Sequence, residues 1–224
     1  MSNLDYKPEY RKNLPHVQPP GATLFVTGRL AGSLPRPVVA ALKAEAEQVE
    51  RAILATAPAA KQGRLLYRAQ RQAFGRLDAL LDAAETGPTW LKRAEIANMV
   101  MESVHFLNGS CYDLDVFCIM SNHMHLVFTP LLDDDGQYVA LSRIMHSLKR
   151  HTAGEANGIL GREGQFWQHE SYDHVVRDEQ ELDRIRRYVL YNPVRAGLVD
   201  DPQDWPYSWA KWWDDAEERA AQRK

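Results

Sequence analysis

Apolar positions along the chain recur with two periods, and the switches between them divide it into strands and helices. The β-branched, apolar stretch "ATLFVTGRLAG" (22–32) predicts a first strand, closed by Gly32 and the prolines at 35 and 37. Leu42, Val49 and Ile53 then fall at roughly helical spacing in an Ala- and Glu-rich context and predict a helix over 38–57. A second helix is predicted from about Arg64 to Ala84, with Leu66, Phe74, Leu77 and Leu81 on one face; "APAAKQG" is the loop between the two and "TGP" at 86–88 ends the pair. "WLKRAEIANMVMESVHFL" (90–107) predicts a third helix. Two β-rich segments follow, "CYDLDVFCIM" and "HMHLVFTP", separated only by Ser121 and Asn122, which suits an antiparallel hairpin. "VALSRIMHSLKRHTAGEAN" predicts a fourth helix with Leu141, Ile144, Met145 and Leu148 inward, and "GQFWQHESYDHVVRD" a loop plus a short strand. A fifth helix runs from near Asp178 to just before Pro193, since the residue preceding proline disfavours the helical region.

The order β, helices, β-hairpin, helix, short β, helix predicts an α+β fold in which helices pack on an antiparallel sheet, most simply a ferredoxin-like one. The helical pair at about 38–85 is then an insertion. Residues 1–20, polar and Pro-rich, are expected to be a flexible arm, 21–210 a single domain, and 211–224 a charged tail. The N-terminus lacks a basic patch leading into an apolar segment and so does not read as a signal peptide. Cys111 and Cys118 are too few and too close to suggest a disulfide framework, which makes a reducing cytoplasm the expected compartment.

Charge changes the picture by its placement rather than its total. The net charge is −3, but the residues from Asp200 onward carry seven acids and four bases, leaving a neutral body of 23 bases and 23 acids. Within that body, residues 51–77 hold six bases and no acid. Lys61, Arg64, Arg68 and Arg71 fall within about 80° of each other around the second helix, opposite its apolar face. This is either a solvated surface or a stripe that contacts phosphates.

The chemistry centres on "HMH". Successive strand side chains alternate, so His123 and His125 point one way while Met124, Leu126 and Phe128 point the other. They lie about 7 Å apart along the strand and can converge on one ion. Alone this is a weak signal, and two hydrogen-bonded strand histidines are the alternative. The fifth helix, "DEQELDRIRRYVLYNPVRAGLV", has a core stripe of Leu182, Ile185 and Val189, and at its edge Tyr188 and Asn192, four apart, share a face. If that face meets the histidines, two nitrogens, an amide oxygen and a phenol come together. Tyr191 points elsewhere on the helix and Tyr172 precedes it, which favours Tyr188 of the three.

"HMH" after "MSN", with a tyrosine four residues ahead of Asn in "YVLYNPVRAGLV", resembles the HUH single-tyrosine transposases. Together with "IMHSLKRHTA", "FWQHESYDHVVRD" and "WPYSW", it is similar to the REP-associated tyrosine transposases over residues 22–36 and about 86–209. The helices at 38–85 are longer than a compact family core requires, so no role carries over to them. The resemblance implies an HUH nuclease domain over 21–210 that cuts single-stranded DNA beside a hairpin and rejoins strands through a 5′-phosphotyrosine. It implies Tyr188 as nucleophile, with His123, His125 and Asn192 holding Mg²⁺ or Mn²⁺. Ionising a phenol at pH 7 costs about 4 kcal/mol, which charge stabilisation by such an ion offsets. Arg143, Lys149, Arg150 and Arg177 are expected DNA contacts alongside Arg64, Arg68 and Arg71, with Trp167 stacking on an unpaired base. A monomer or homodimer, cytoplasmic and associated with the nucleoid, is the expected form. The competing expectations are a catalytically silent hairpin-binding module and a metal-dependent phosphoesterase.

Overall fold

The computed structural model describes residues 9–11 and 15–213. Its first elements are a two-stranded antiparallel ribbon, β1 (Glu9–Arg11) and β2 (Pro15–Val17). The sheet-forming body then runs β3 (Leu24–Arg29), α1 (Arg36–Thr56), α2 (Ala59–Ala83), α3 (Ala94–Leu107), β4 (Tyr112–Ile119), β5 (His123–Pro130), α4 (Leu141–Leu160) and β6 (Tyr172–Val175). It ends with α5 (Glu179–Leu190), α6 (Asn192–Arg195) and β7 (Ser208–Ala210). The five-stranded sheet has the order β6-β3-β5-β4-β7, every pair antiparallel. Setting α1 and α2 aside, β3-α3-β4-β5-α4-β6 is the split βαβ arrangement of a ferredoxin-like α+β fold, with β7 added at one edge.

Both sheet faces are covered, which is why β5 reads as a nearly unbroken apolar run. On one face Leu24, Val26, Met124, Leu126 and Phe128 pack against Ile96, Val100 and Val104 of α3 and Ile144, Met145 and Leu148 of α4. On the other, Phe25, Val116, Cys118 and Val127 pack against Leu182, Val189 and Leu190 of α5 and, from α2, Phe74. Strand alternation then puts His123 and His125 on the α5 face. A bulge between Leu114 and Val116 shifts the phase of β4. Asp115, within that bulge, is gripped by Arg186 of α5, Nε to Oδ1 at 2.8 Å and Nη2 to Oδ2 at 2.6 Å.

The departures from the sequence pattern have local causes. The expected third helix is broken: Trp90–Lys92 form a 3-10 turn and Arg93 is extended (φ −73°, ψ 120°) before α3 begins. The fifth helix does not simply end before Pro193. Tyr191 (φ −83°, ψ 4°) interrupts it, and Pro193 sits in the first turn of α6, where its missing N–H costs nothing. "WPYSW" (205–209), given no structure by its pattern, runs into strand β7. Within the stretch expected as an arm, Gln18 is buried, its Nε2 donating to Val139 O and its Oε1 accepting from Leu141 N. The remainder of that arm (1–8 and 12–14) and the tail from 214 lie outside the described residues. Cys111 and Cys118 are both free thiols, and among the described residues no helix is long and apolar enough to cross a membrane.

α1 and α2 form an antiparallel pair, yet α1 buries no residue and α2 only Asp78 and Leu81. A helix that buries a carboxylate is held by more than apolar contact.

Candidate active site

The centre is assembled from five elements: β3 supplies Thr27, β5 the histidines, α5 Tyr188, α6 Asn192, and α2 two aspartates. His123, His125 and Asn192 have no exposed surface, and Asp78 is 2% exposed. The imidazole Nε2 atoms lie 3.1 Å apart. Their outer nitrogens are each engaged: His123 Nδ1 lies 2.7 Å from Asn122 Oδ1, and His125 Nδ1 2.8 Å from Thr27 Oγ1. Asn122 Nδ2 donates to Leu81 O (3.0 Å), which fixes its oxygen as an acceptor and hence places the proton of neutral His123 on Nδ1. Its Nε2 therefore turns a lone pair inward.

The Asn192 amide satisfies its surroundings with Nδ2 donating to Asp82 Oδ1 (3.0 Å) and Oδ1 facing His125 Nε2 (3.0 Å) and Arg195 Nη2 (3.2 Å). The Tyr188 hydroxyl donates to Asp78 Oδ2. The other oxygen, Asp78 Oδ1, is buried without a hydrogen-bond partner, 3.4 Å from His125 Nε2 and 3.9 Å from His123 Nε2. Asp82 Oδ1 lies 3.5 Å from His123 Nε2.

Burial sets the charge state. It pushes His123 down to about 3, with the Arg195 charge assisting, and His125 well below the ordinary 6.5, helped by His123 and Arg195. Burial and the neighbouring Asp82 push the Asp78 carboxyl up to about 8, against the pull of Arg195. Burial likewise raises Asp82 to about 6, opposed by Arg195 and the Asn192 hydrogen bond. The imidazoles are thus held neutral, the state in which their nitrogens can ligate a metal, beside two carboxyls whose ionisation burial opposes. Asp78, His123 and His125 offer one ligand atom each within 4.8 Å, a donor set that fits a divalent ion.

An aromatic wall closes one side. The Phe25 ring is stacked on His125 at 5.6 Å and meets Tyr188 edge-on at 6.1 Å, while Phe74 of α2 stacks on Tyr172 at 4.0 Å. The Arg195 guanidinium lies 4.3 Å over the Tyr188 ring, and its Nη1 donates to Tyr188 O. A cleft of about 160 Å³ bordered by Asp82, His123, Lys92 and Ser121 adjoins the centre.

The structure brings Tyr188, Asn192, His123 and His125 together and leaves Tyr191 outside, 46% exposed. The expected DNA contacts are scattered. Arg64, Arg68 and Arg71 are exposed on α2, the last 5.8 Å from the Tyr67 ring. Arg143 and Arg150 are exposed on α4, on the sheet face away from Tyr188, with Arg143 3.7 Å from Asp133. Lys149 donates to the carbonyls of Gln168 and His169, and Arg177 bonds Glu181 and lies 3.3 Å over the Tyr67 ring. Trp167 corrects its expectation: it is 4% exposed, with Nε1 bonded to Thr152 Oγ1 at 2.8 Å, and it belongs to the core that supports α4 rather than to a stacking surface.

Sequence reasoning missed Asp78 and Asp82. The signal was present: with Phe74 and Leu81 they occupy i, i+4, i+7 and i+8, so two acids interrupt an apolar stripe.

No protein-family model matches the chain. A stretch of 102 residues, 43% of this chain, is 29% identical to 58% of a Haemophilus influenzae protein described as a REP-associated tyrosine transposase. A second stretch of 97 residues, again 43% of the chain, is 25% identical to 53% of the REP-associated tyrosine transposase of Escherichia coli strain K12. Over these stretches the chain is similar to REP-associated tyrosine transposases. It spans about half the length of the curated relatives it matches. A solved structure of a REP-associated tyrosine transposase bound to a REP hairpin superposes with a TM-score of 0.48 at 17% identity, over 89% of this chain and 81% of that chain.

Proposed function

We propose that the chain is a divalent-ion-dependent nuclease and strand transferase for single-stranded DNA beside a hairpin, acting through a phosphotyrosine at Tyr188. The observation that carries this reading is the meeting of Tyr188 and Asn192 with His123 and His125 in one buried centre, into which His123 turns a lone pair and Asp78 an unpartnered oxygen. A phenol has no structural need of such a neighbour.

His123, His125 and Asn192 hold the ion, Mg²⁺ or Mn²⁺, through two nitrogens and an amide oxygen. When bound, the ion polarises the scissile phosphate and offsets charge that builds up on its oxygens. The Tyr188 oxygen attacks phosphorus, the bond to the 3′ oxygen breaks, and a free 3′-hydroxyl departs while the 5′ end stays on the tyrosine. Attack by another 3′-hydroxyl reverses the sequence and joins strands. Thr27 and Asn122 fix the rings of His125 and His123, and the Phe25 wall excludes water from the linkage. Arg195 places a positive charge over the face of the Tyr188 ring. Arg64, Arg68 and Arg71 bind the backbone of DNA extending from the centre, and Arg143 and Arg150 offer a second phosphate-binding surface on the far side of the sheet. The DNA substrate places the protein in the cytoplasm, at the nucleoid.

The test is to incubate the protein with hairpin-bearing oligonucleotides from the DNA flanking its gene, plus Mn²⁺. A covalent protein–DNA adduct is expected, absent with Tyr188→Phe although that variant still binds the hairpin. Failure of the native protein to form an adduct on any of these hairpins overturns the reading. Turnover of phosphoesters that survives Tyr188→Phe points instead to a hydrolase.

A further inference from the structure

We infer that Asp78 is a ligand of the ion at the histidine pair, so that the α1–α2 helical pair forms one wall of the metal centre and is fastened to the sheet through it. This rests on the reading above that His123 and His125 hold a divalent ion, and it assigns a role to the segment that the family resemblance left without one.

The geometry is specific. Nitrogen and oxygen ligands about 2.0–2.2 Å from an ion lie about 3–3.6 Å from one another. The imidazole nitrogens are 3.1 Å apart, and Asp78 Oδ1 is 3.4 Å from one and 3.9 Å from the other. That oxygen is buried and has no hydrogen-bond partner, a costly state for a carboxylate unless a cation completes it. Its twin, Oδ2, accepts from the Tyr188 hydroxyl. One carboxylate thus faces the ion position and holds the nucleophile beside it. Asp82, one helical turn on, receives the Asn192 amide and turns that side chain's oxygen inward, which makes it a positioning residue.

The packing of α2 supports the same conclusion. Besides Asp78, its attachment to the body includes Leu81, the Phe74 contacts, the Asn122 bond to Leu81 O, the Asn192 bond to Asp82, and Tyr67 against Glu181, His174 and Arg177. α1 buries nothing and rides on α2. An ion shared between α2 and β5 adds its binding free energy to this limited contact, since ligand binding to one state stabilises that state. Docked in this way, α2 covers the histidines, Asn192 and the Tyr188 hydroxyl.

The experiment uses the full chain and Mn²⁺ alone. Mn²⁺ affinity is measured by calorimetry for the native protein, Asp78→Asn, Asp78→Glu and His123→Ala, and amide exchange is followed across residues 59–83 with and without Mn²⁺. Native protein is expected to bind Mn²⁺ and to exchange more slowly in the C-terminal half of α2 when it does. Asp78→Asn should lose at least about tenfold in affinity and show no slowing. Asp78→Glu, which keeps the carboxylate but displaces it by a methylene, should fall between the two and serves if the asparagine variant does not fold. Unchanged affinity and unchanged slowing in the Asp78 variants, with binding lost in His123→Ala, overturns the assignment of Asp78 and leaves the histidine site standing. No Mn²⁺ binding by the native protein overturns the underlying reading as well.

Discussion

Replacing Thr27 by valine keeps the outline of the side chain and deletes one oxygen, the one 2.8 Å from His125 Nδ1. The two residues are paired across β3 and β5, and Thr27 is 4% exposed, so no bulk water takes the place of the hydroxyl. In the tautomer that metal binding requires, His125 carries its proton on Nδ1, and a buried N–H left without an acceptor costs about 1–3 kcal/mol. The ring has one escape, which is to carry its proton on Nε2, where Asn192 Oδ1 at 3.0 Å can accept it. That tautomer restores the fold but aims the proton at the ion position and removes the lone pair a metal needs. The same 1–3 kcal/mol therefore surfaces in one of two places. It lowers the unfolding free energy of ion-free protein if the tautomer is retained, or it weakens Mn²⁺ binding by about fivefold to 150-fold if the proton moves. Urea unfolding of the ion-free protein and calorimetric titration with Mn²⁺ measure the two terms, and ¹⁵N shifts of the His125 ring report which tautomer is present. Thr27→Val protein with an unchanged midpoint and unchanged Mn²⁺ affinity would refute the claim that Thr27 orients His125.

Two further outcomes follow from the same charges and contacts. In ion-free protein, stability should be nearly flat between about pH 4.5 and 6.5, because protons taken up by unfolded His123 and His125, buried neutral in the fold, are offset by those that Asp78 (about 8) and Asp82 (about 6) retain in it. Above 6.5 only Asp78 still differs, so stability should fall by about 1.4 kcal/mol per unit toward pH 8, and saturating Mn²⁺ should abolish that fall. Below 4.5 stability should drop as Glu181, held near 2 against its burial by bonds from Tyr67 and Arg177, is protonated. Calorimetric melting across pH 3–9 checks all three limbs, and a midpoint that climbs from pH 6.5 to 8 contradicts the burial of Asp78. Trp167→Phe removes the bond to Thr152 inside the core and should cost about 1–3 kcal/mol in urea unfolding while leaving hairpin binding unchanged. Weaker DNA binding at unchanged stability would reverse that assignment.

The body of the sheet was legible because its chemistry is local. Alternation in "HMHLVFTP" told which way His123 and His125 point, and a four-residue spacing told that Tyr188 and Asn192 share a face. Neither inference needs a distant contact. The breaks near Arg93 and Tyr191 were not legible, since apolar periodicity continues through them while the backbone leaves the helix for one residue. β7 is three residues long and owes its conformation to pairing with β4, a partner some 90 positions away in the chain. Trp167 misled because an indole suits a stacking surface and a core equally well, and only the position of Thr152 decides between them. Asp78 and Asp82 were overlooked because only the apolar members of the α2 stripe were followed, whereas their position beside Phe74 and Leu81 assigns them inward.

The single helical turn between the phenol and the amide carries a mechanical consequence. α5 and α6 are joined at one near-helical residue, so Tyr188 and Asn192 travel as one piece. Under the proposed reading, a DNA end tethered to that tyrosine would move together with Asn192. Strand exchange would then bring the incoming 3′ end to the tyrosine rather than carry the tyrosine alone to the DNA.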